Sequence, residues 1–254
     1  MLRIELTKLM PADHLIFASS LIAAVSFLYA TAGQAGGTAF LAIMAFAGFA
    51  PGEMRPLALL LNVVAAGYAT WHLSRRAAID WAALRLLLPP SLITAFIGGL
   101  IALQVHIYFL LTGTLLIAAS ALLVFKRTAD LTTPKPIAAI PAALVGAGAG
   151  LLSGLSGVGG GVFLVPPLVA LSWKSPKAAA TLSPPFILGN SILGLIGALL
   201  SGQHLAGDSA LYCTAAFGGA VVGTAIGARW MSERATSYVL ALILAFAGVR
   251  LLLR

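Results

Sequence analysis

The amino-acid sequence predicts an all-α membrane protein of eight to ten transmembrane or re-entrant helices. Two observations predict this class. Of the 254 residues, 60 % are hydrophobic and only 9 % are charged, whereas a soluble domain carries about 25 % charged residues; the mean hydropathy is +1.03. A chain this apolar cannot cover a globule with polar groups, so its outer surface has to face lipid. The composition excludes soluble globular classes, and it excludes disorder, which needs low hydrophobicity.

Ten apolar segments separated by polar breaks fill the chain and leave no room for a soluble domain. A helix needs about 20 apolar residues to cross the hydrocarbon layer. Segments 37–50 and 161–173 are too short to cross it comfortably, and each follows a glycine cluster. If each short segment is re-entrant with its neighbour, eight full spans remain. The ten segments are 15–33, 37–50, 57–73, 86–103, 107–125, 137–153, 161–173, 178–200, 209–228 and 236–253.

The lysine and arginine residues predict the orientation of the chain. Alternating loops put ten of these residues on one side and five on the other, and the positive-inside rule makes the richer side cytoplasmic. Both termini are then expected outside the cytoplasm. The net charge of +8 therefore anchors loops, and we expect no nucleic-acid partner. The ten are Arg75, Arg76, Arg85, Lys126, Arg127, Lys135, Lys174, Lys177, Arg229 and Arg234; the five are Arg3, Lys8, Arg55, Arg250 and Arg254.

The two halves of the chain share one order of elements, which predicts an inverted repeat of residues 1–130 and 131–254 within one membrane domain. Each half has a glycine cluster, a short helix, a proline turn and then a span with a polar residue after its first turn. Because each half has five segments, an odd number, the second half enters the membrane upside down. These elements are residues 33–38, Pro51 and Asn62 in the first half, and residues 157–162, Pro176 and Ser183 in the second.

The glycine clusters predict where a solute binds. Non-helical backbone at membrane depth persists only inside protein or beside a water-filled cavity, and a helix that restarts there points free N–H groups at an anion. We expect the two helix starts, near Thr38 and Val162, to face one solute in a cavity near the midplane. The candidate binding residues are Gly33, Gln34, Gly36, Gly37, Thr38, Asn62, Gly157, Gly159, Gly160, Gly161, Thr181, Ser183 and Asn190.

Ordinary structural roles compete with this interpretation. Small residues let helices pack closely in membranes, and this is the role expected for the run 146–150. Asn62 and Ser183 taken singly fit interhelical hydrogen bonding equally well. All seven acidic residues fall in loops or near span ends, away from the mid-span positions of proton relays. The chain has one cysteine, Cys213, which cannot form an intramolecular disulfide and has no second thiolate to share a metal. We expect no metal and no cofactor.

Three motifs in the second half resemble the second repeat of the sulfite exporter TauE/SafE family. The first-half counterparts at 33–38 and 58–62 are weaker, since Gln34 and Ala35 stand where that family usually has small residues or glycine. The resemblance covers nearly the full length of the chain. The motifs are Ser153-Gly-Leu-Ser-Gly-Val-Gly-Gly-Gly161, Val165-Pro-Pro-Leu168 and Ala178-Ala-Ala-Thr-Leu-Ser183.

This resemblance implies a multi-pass permease of the bacterial inner membrane. Its substrates would be sulfite, sulfonates such as sulfoacetate, or related small organic anions. We expect a secondary transporter that exports these anions by alternating access, and not an enzyme. The expected partners are the small anion and the lipid bilayer; a homodimer is left open.

Two other classes are compatible with the sequence. Gly154-Leu-Ser156-Gly157 matches the Gly-x-Ser-Gly motif of rhomboid-type intramembrane serine proteases, in which a histidine of a later span acts as general base. Here the only downstream histidine is His204, in a polar loop. An anion channel is the other alternative, and turnover per protein would separate it from a carrier.

Overall fold

The structure is a computed structural model that describes residues 11–31, 37–76, 78–124, 135–230 and 233–253. This part of the chain contains ten α-helices and no strand, which confirms the predicted all-α membrane class. Each helix coincides with one of the ten predicted apolar segments. The helices are α1 (Pro11–Thr31), α2 (Gly37–Ala47), α3 (Pro51–Arg75), α4 (Trp81–Leu100), α5 (Val105–Val124), α6 (Ala139–Ser156), α7 (Gly161–Ala170), α8 (Pro176–Leu200), α9 (Ser209–Trp230) and α10 (Glu233–Leu252).

The helices differ in whether they can cross a membrane. Four stretches of the described chain are long and apolar enough to do so, Gly52–Arg75, Trp81–Leu100, Ala139–Ser156 and Ala178–Leu200. By contrast, α2 and α7 have 11 and 10 residues. At about 1.5 Å per residue they rise roughly half the thickness of the hydrocarbon layer. They are short helices inside the bundle, as the glycine clusters before them predict.

Glycine contacts fix the direction of α6 relative to α4. A methyl group on any of three glycines of α6, spaced four residues apart, would overlap a carbonyl oxygen of α4. Residue numbers rise together along the two helices, so α4 and α6 run parallel and their backbones nearly touch. The contacts pair Gly146 with Leu87, Gly150 with Ser91 and Gly154 with Ala95.

These contacts decide the role of residues 146–150. Gly146 and Gly150 pack against backbone, so the prediction of close helix packing is confirmed for them. Gly148, between them, faces open space on the outside of the bundle. The run therefore serves the α4–α6 contact through glycines four residues apart on one side of the helix only.

Glycine contacts also join two further pairs of helices. Helices α1 and α9 run parallel, with Gly219 against Ala23 and Gly223 against Phe27. Helices α5 and α10 run antiparallel, with Gly113 and Gly248 facing each other. Each short helix lies in its own apolar cluster. The buried residues of α2 pack with α1, α3 and α9 among others, and those of α7 pack with α4, α6 and α8.

At the centre, α3 and α8 pack antiparallel, with Leu59 against Gly194 and Gly67 against Leu188. Each has 25 residues and a proline at its start, where no helical N–H is needed. Helix α3 begins six residues earlier than the predicted span, and Asn62 is its twelfth residue. The expectation that Asn62 follows the first turn is therefore wrong. Asn62 lies at mid-helix, deep in the bundle.

Candidate functional site at the glycine junction

The chain between α6 and α7 is a loop that glycine makes possible. Helix α6 ends at Ser156 and is capped by Gly157, whose N–H donates to the Ser153 carbonyl at 2.8 Å. Gly157, Gly159 and Gly160 have φ values of 84°, 87° and 86°, a region that costs other residues about 1–2 kcal/mol each. The three glycines reverse the chain inside the bundle, so that α7 starts at depth.

This loop presents free amide groups at the start of α7. The N–H groups of Phe163 and Leu164 both donate to the Gly160 carbonyl, at 3.1 and 3.2 Å. Within the described residues, the N–H groups of Gly159, Gly160 and Gly161 donate no backbone hydrogen bond. Unpaired amides at the positive end of a helix dipole form a site that favours anions.

The loop meets the start of α2. A methyl group at Gly37 would overlap the Val158 carbonyl oxygen and come within 3.1 Å of Asn62 Oδ1. Asn62 Nδ2 in turn donates to the Gly157 carbonyl at 3.2 Å. We call this meeting point, Gly37 with residues 157–161, the glycine junction. Three of the predicted first-half residues, Gly33, Gln34 and Gly36, lie outside the described residues.

Helix α8 closes the other side of the glycine junction with hydroxyl groups. A methyl group at Gly159 would lie 3.3 Å from Ser191 Oγ and 2.9 Å from Asn62 Nδ2, and one at Gly161 would lie 3.3 Å from Ser183 Cβ. The hydroxyls of Ser183 and Ser191 and the Asn62 Oδ1 atom are buried without a hydrogen-bond partner in the described part of the molecule. Such atoms are costly unless something binds them.

Ser191 was not among the residues predicted from the sequence. It lies eight residues after Ser183, a spacing that puts both on one broad face of a helix. That spacing was the available signal, but it does not say which face of α8 meets the loop.

The other predicted polar residues have partners within the protein. Thr38 Oγ1 pairs with the Tyr29 hydroxyl of α1 at 2.5 Å, and Thr181 Oγ1 donates to the Ala178 carbonyl of its own helix at 2.9 Å. Asn190 Oδ1 accepts from the Ser91 hydroxyl of α4. Ordinary interhelical or intrahelical bonding accounts for these three contacts, and a role in binding a solute stays a prediction.

Arg55 is the residue that the sequence interpretation misplaced. It was grouped with the outer loops because it falls between the predicted segments 37–50 and 57–73, yet α3 already begins at Pro51, and Arg55 is only 1 % exposed. Its Nη1 donates to the Ile101 carbonyl at 2.8 Å. Its Nη2 donates to the carbonyls of Gly98, at 2.8 Å, and Gly99. Burial inside the bundle thus puts a cation where only uncharged groups were expected.

The glycine junction is closed in this structure. All five residues 157–161 are buried, and the contact of Gly37 with Val158 leaves no room for a solute between them. The expected open space is therefore absent in this conformation, because the glycine backbones fill it. A cavity of about 420 Å³ lies elsewhere, between α1, α2 and α10. Its lining is apolar and comprises Leu21, Val25, Ala42, Ile43, Phe46, Leu242, Phe246 and Ala247.

The side chain of Ser156, the nucleophile of the protease alternative, forms hydrogen bonds with nearby backbone groups. Its Oγ donates to the Leu152 carbonyl at 2.6 Å and accepts from the Val158 N–H at 3.2 Å. The side chain is fully buried, whereas His204 lies exposed in the loop between α8 and α9. The serine holds the turn at the end of α6, and this geometry does not favour a nucleophile.

The fold and the glycine junction define a polytopic membrane protein with two helices that begin inside the bundle. The chain matches the family described as Sulfite exporter TauE/SafE over residues 17–251, and it belongs to this family of membrane transporters. It is also 30 % identical over 237 residues to the probable membrane transporter protein y4hK of Sinorhizobium fredii, an alignment that covers 90 % of this chain and 94 % of that protein. No solved structure matches the chain.

Proposed function

We propose that this protein is a secondary transporter that exports small anions by alternating access. The proposed substrates are sulfite, sulfonates such as sulfoacetate, or related organic anions. The observation that carries the proposal is the glycine junction, where the start of α2 meets the loop before α7 beside Asn62. Helices that begin at membrane depth, with free amides, are where secondary transporters bind anionic groups.

Helix pairing supports the inverted repeat of residues 1–130 and 131–254. If α1–α5 correspond to α6–α10, the parallel pairs α4–α6 and α9–α1 are equivalent, and both use glycine contacts. The pairs α3–α8 and α5–α10 join each helix to its own counterpart, and both run antiparallel. A twofold axis in the membrane plane produces this pattern, because it reverses the direction of every helix.

The closed glycine junction fits an intermediate of the transport cycle. We infer that motion of one half against the other separates Gly37 from Val158 and opens a binding space to one side at a time. The freed amides of Gly159, Gly160 and Gly161 then hold the anion, with the hydroxyls of Ser183 and Ser191. The unpaired polar atoms of the closed state are the groups that such an anion would satisfy.

The proposed direction of transport follows from charge. The basic loops and helix ends, which include the exposed Arg76, Arg85 and Lys135, would face the cytoplasm of a bacterial inner membrane, with both termini outside. Moving one negative charge out of the cell then gains about 2.3 kcal/mol per 100 mV. This electrical gain would drive export without a coupled proton or sodium ion, and the absence of a buried carboxylate among the described residues agrees with that.

Flux measurements in proteoliposomes test the proposal. With labelled sulfite or sulfoacetate inside, a potential that is positive outside should speed efflux, and reversal of the potential should slow it. A proton uncoupler should leave efflux unchanged when the potential is clamped. Flux that ignores the potential but stops with the uncoupler would contradict the uncoupled mechanism. Absence of flux for every anion tried would contradict the proposed function itself.

The substrate can be found by a thermal-shift series on the purified protein. Sulfite, sulfoacetate, taurine, sulfate and short carboxylates are compared at equal ionic strength. A ligand that binds the folded form raises its unfolding temperature, so the transported anion should give the largest shift and a neutral analogue should give none.

A further inference from the structure

Arg55 is a buried cation without a carboxylate partner. It is 1 % exposed, and the only ion pair within the described residues joins Lys174 and Asp80 on another part of the molecule. Removing a charge from water costs several kcal/mol even after relaxation of the protein. A buried cation without a compensating anion is unfavourable unless other groups of the protein stabilise its charge.

The carbonyl groups at the end of α4 compensate this charge in part. Three of them, at Gly98, Gly99 and Ile101, accept from the two terminal nitrogens of Arg55. A helix C-terminus carries only about half a negative charge, so the group retains a net positive charge. The Arg55 Nε atom is buried and has no partner among the described residues. The guanidinium is thus held in place with donor capacity left over.

Arg55 lies beside the loop of the glycine junction. A methyl group at Gly157 would lie 3.3 Å from both Cα and Cγ of Arg55, and the Gly157 carbonyl accepts from Asn62. Arg55 and Asn62 are seven residues apart on α3, two turns of the helix, so both lie on the same face. On that face of α3, the cation of Arg55 and the side-chain amide of Asn62 both lie beside the loop that has the free N–H groups.

We propose that Arg55 is the charged ligand of the transported anion, an inference that rests on the proposed function. When the glycine junction opens, the guanidinium exchanges one or more α4 carbonyls for the anion beside the loop amides. The planar fork of donors matches two oxygens of one group. The site therefore takes oxyanions such as carboxylate, sulfite or sulfonate in preference to halides. The complex of Arg55 with a singly charged anion is neutral, which lowers the cost of passage through the midplane.

Variants of Arg55 in proteoliposomes test this role, with labelled sulfite and sulfoacetate as probes. Arg55→Gln keeps the length but loses the charge and the fork, and Arg55→Lys keeps the charge. Arg85→Gln is the matched control, because Arg85 is also the fifth residue of its helix but is exposed. We expect KM to rise about 10- to 100-fold in Arg55→Gln, since a hydrogen bond to a charged group contributes that much. Arg55→Lys should give an intermediate KM, and Arg85→Gln the wild-type value.

Unfolding temperatures with and without anion separate binding from folding. Arg55→Gln should lose the stabilisation by sulfite or sulfoacetate, and the preference for these anions over chloride should fall. A folded Arg55→Gln with wild-type KM would overturn the inference. If Arg55→Gln does not fold, Arg55→Lys decides: a raised KM supports the inference, and a wild-type KM makes Arg55 a structural clamp on α4. A wild-type protein without anion flux or anion-dependent stabilisation would instead overturn the proposed function.

Discussion

Helices α3 and α8 pack against each other at the centre of the bundle but bring different chemistry to the glycine junction. Each has 25 residues, starts with proline and packs antiparallel to the other. Helix α3 brings Arg55 and Asn62, and α8 brings the hydroxyls of Ser183 and Ser191. The comparison teaches that two helices of equal length and similar placement need not contribute the same chemistry to a site. One side can supply charge while the other supplies neutral donors.

The largest effect is expected for the substitution Gly159→Ala, because Gly159 lies close to side chains of both α3 and α8. The new methyl would press on Asn62 of α3 at 2.9 Å and lie 3.3 Å from the Ser191 hydroxyl of α8. Left-handed backbone strain adds about 1–3 kcal/mol, and overpacking adds a similar amount. We expect anion flux to fall to the level of empty liposomes.

Gly202→Ala is the matched control for Gly159→Ala. Gly202 has φ of 85°, close to the 87° of Gly159, but nothing lies within 4 Å of its Cβ position. It shares the backbone strain without the contacts. Its unfolding temperature should drop by a few degrees while flux persists. Equal loss of flux in both variants would show that strain alone, and not contact with α3 and α8, explains the effect.

A double-mutant cycle with Asn62→Ala and Ser191→Ala tests whether α3 and α8 bind the same solute. Asn62→Ala leaves the buried Gly157 carbonyl without its donor, which costs about 1–3 kcal/mol of stability. Since both side chains approach Gly159, the effects of the two substitutions on KM should be non-additive, as for residues in contact. The measurement is KM for sulfite or sulfoacetate in the four proteins. Additive effects would mean that α3 and α8 do not share one solute.

The hydroxyl of Ser191 should matter for binding and not for folding. It has no partner in the closed structure, so Ser191→Ala should keep the unfolding temperature and raise KM. Ser120 provides the contrast, because its Oγ donates to the Ala241 carbonyl at 2.8 Å, far from the glycine junction in sequence. Ser120→Ala should lose about 1 kcal/mol of stability with wild-type KM. A Ser191→Ala protein that is less stable than Ser120→Ala would contradict this assignment.

The smallest effect is expected for the ion pair that joins the loop after α3 to the loop before α8. Lys174 Nζ lies 2.6 Å from Asp80 Oδ2, and this hydrogen bond lowers the pKa of Asp80 below its usual range. A lowered pKa in the folded protein stabilises above the unfolded pKa of about 4. That stabilisation is lost as the pH falls through the folded value.

Asp80→Asn measures this contribution, because asparagine can still accept from the Ala83 N–H at the start of α4. Both side chains are partly exposed, so we expect a loss below about 1 kcal/mol at pH 7. In thermal unfolding across pH, the two proteins should converge below about pH 4. A difference that widens in acid would contradict the assignment.

The sequence predicted each of the ten helices, because the apolar segments and their polar breaks are local features. It also predicted that the helix starts near Thr38 and Val162 face one solute, and that role stays a prediction. It placed the start of α3 six residues late, since Glu53 and Arg55 are typical of a loop when their partners are unknown. It missed Ser191 for a related reason. The role of a serine within an apolar helix depends on which neighbouring element its side chain faces, and the sequence of the helix does not give that.

Apolar composition and the spacing of glycines by themselves determined a bundle of helices with two short members, since lipid imposes the same demand on every segment. Only the tertiary structure decided that Arg55 points inward to the end of α4, that Gly146 and Gly150 face α4 while Gly148 faces outward, and that the glycine junction is closed. These features depend on atoms brought together from distant parts of the chain. Short-range patterns cannot specify them, because contact between two helices is set jointly by both surfaces.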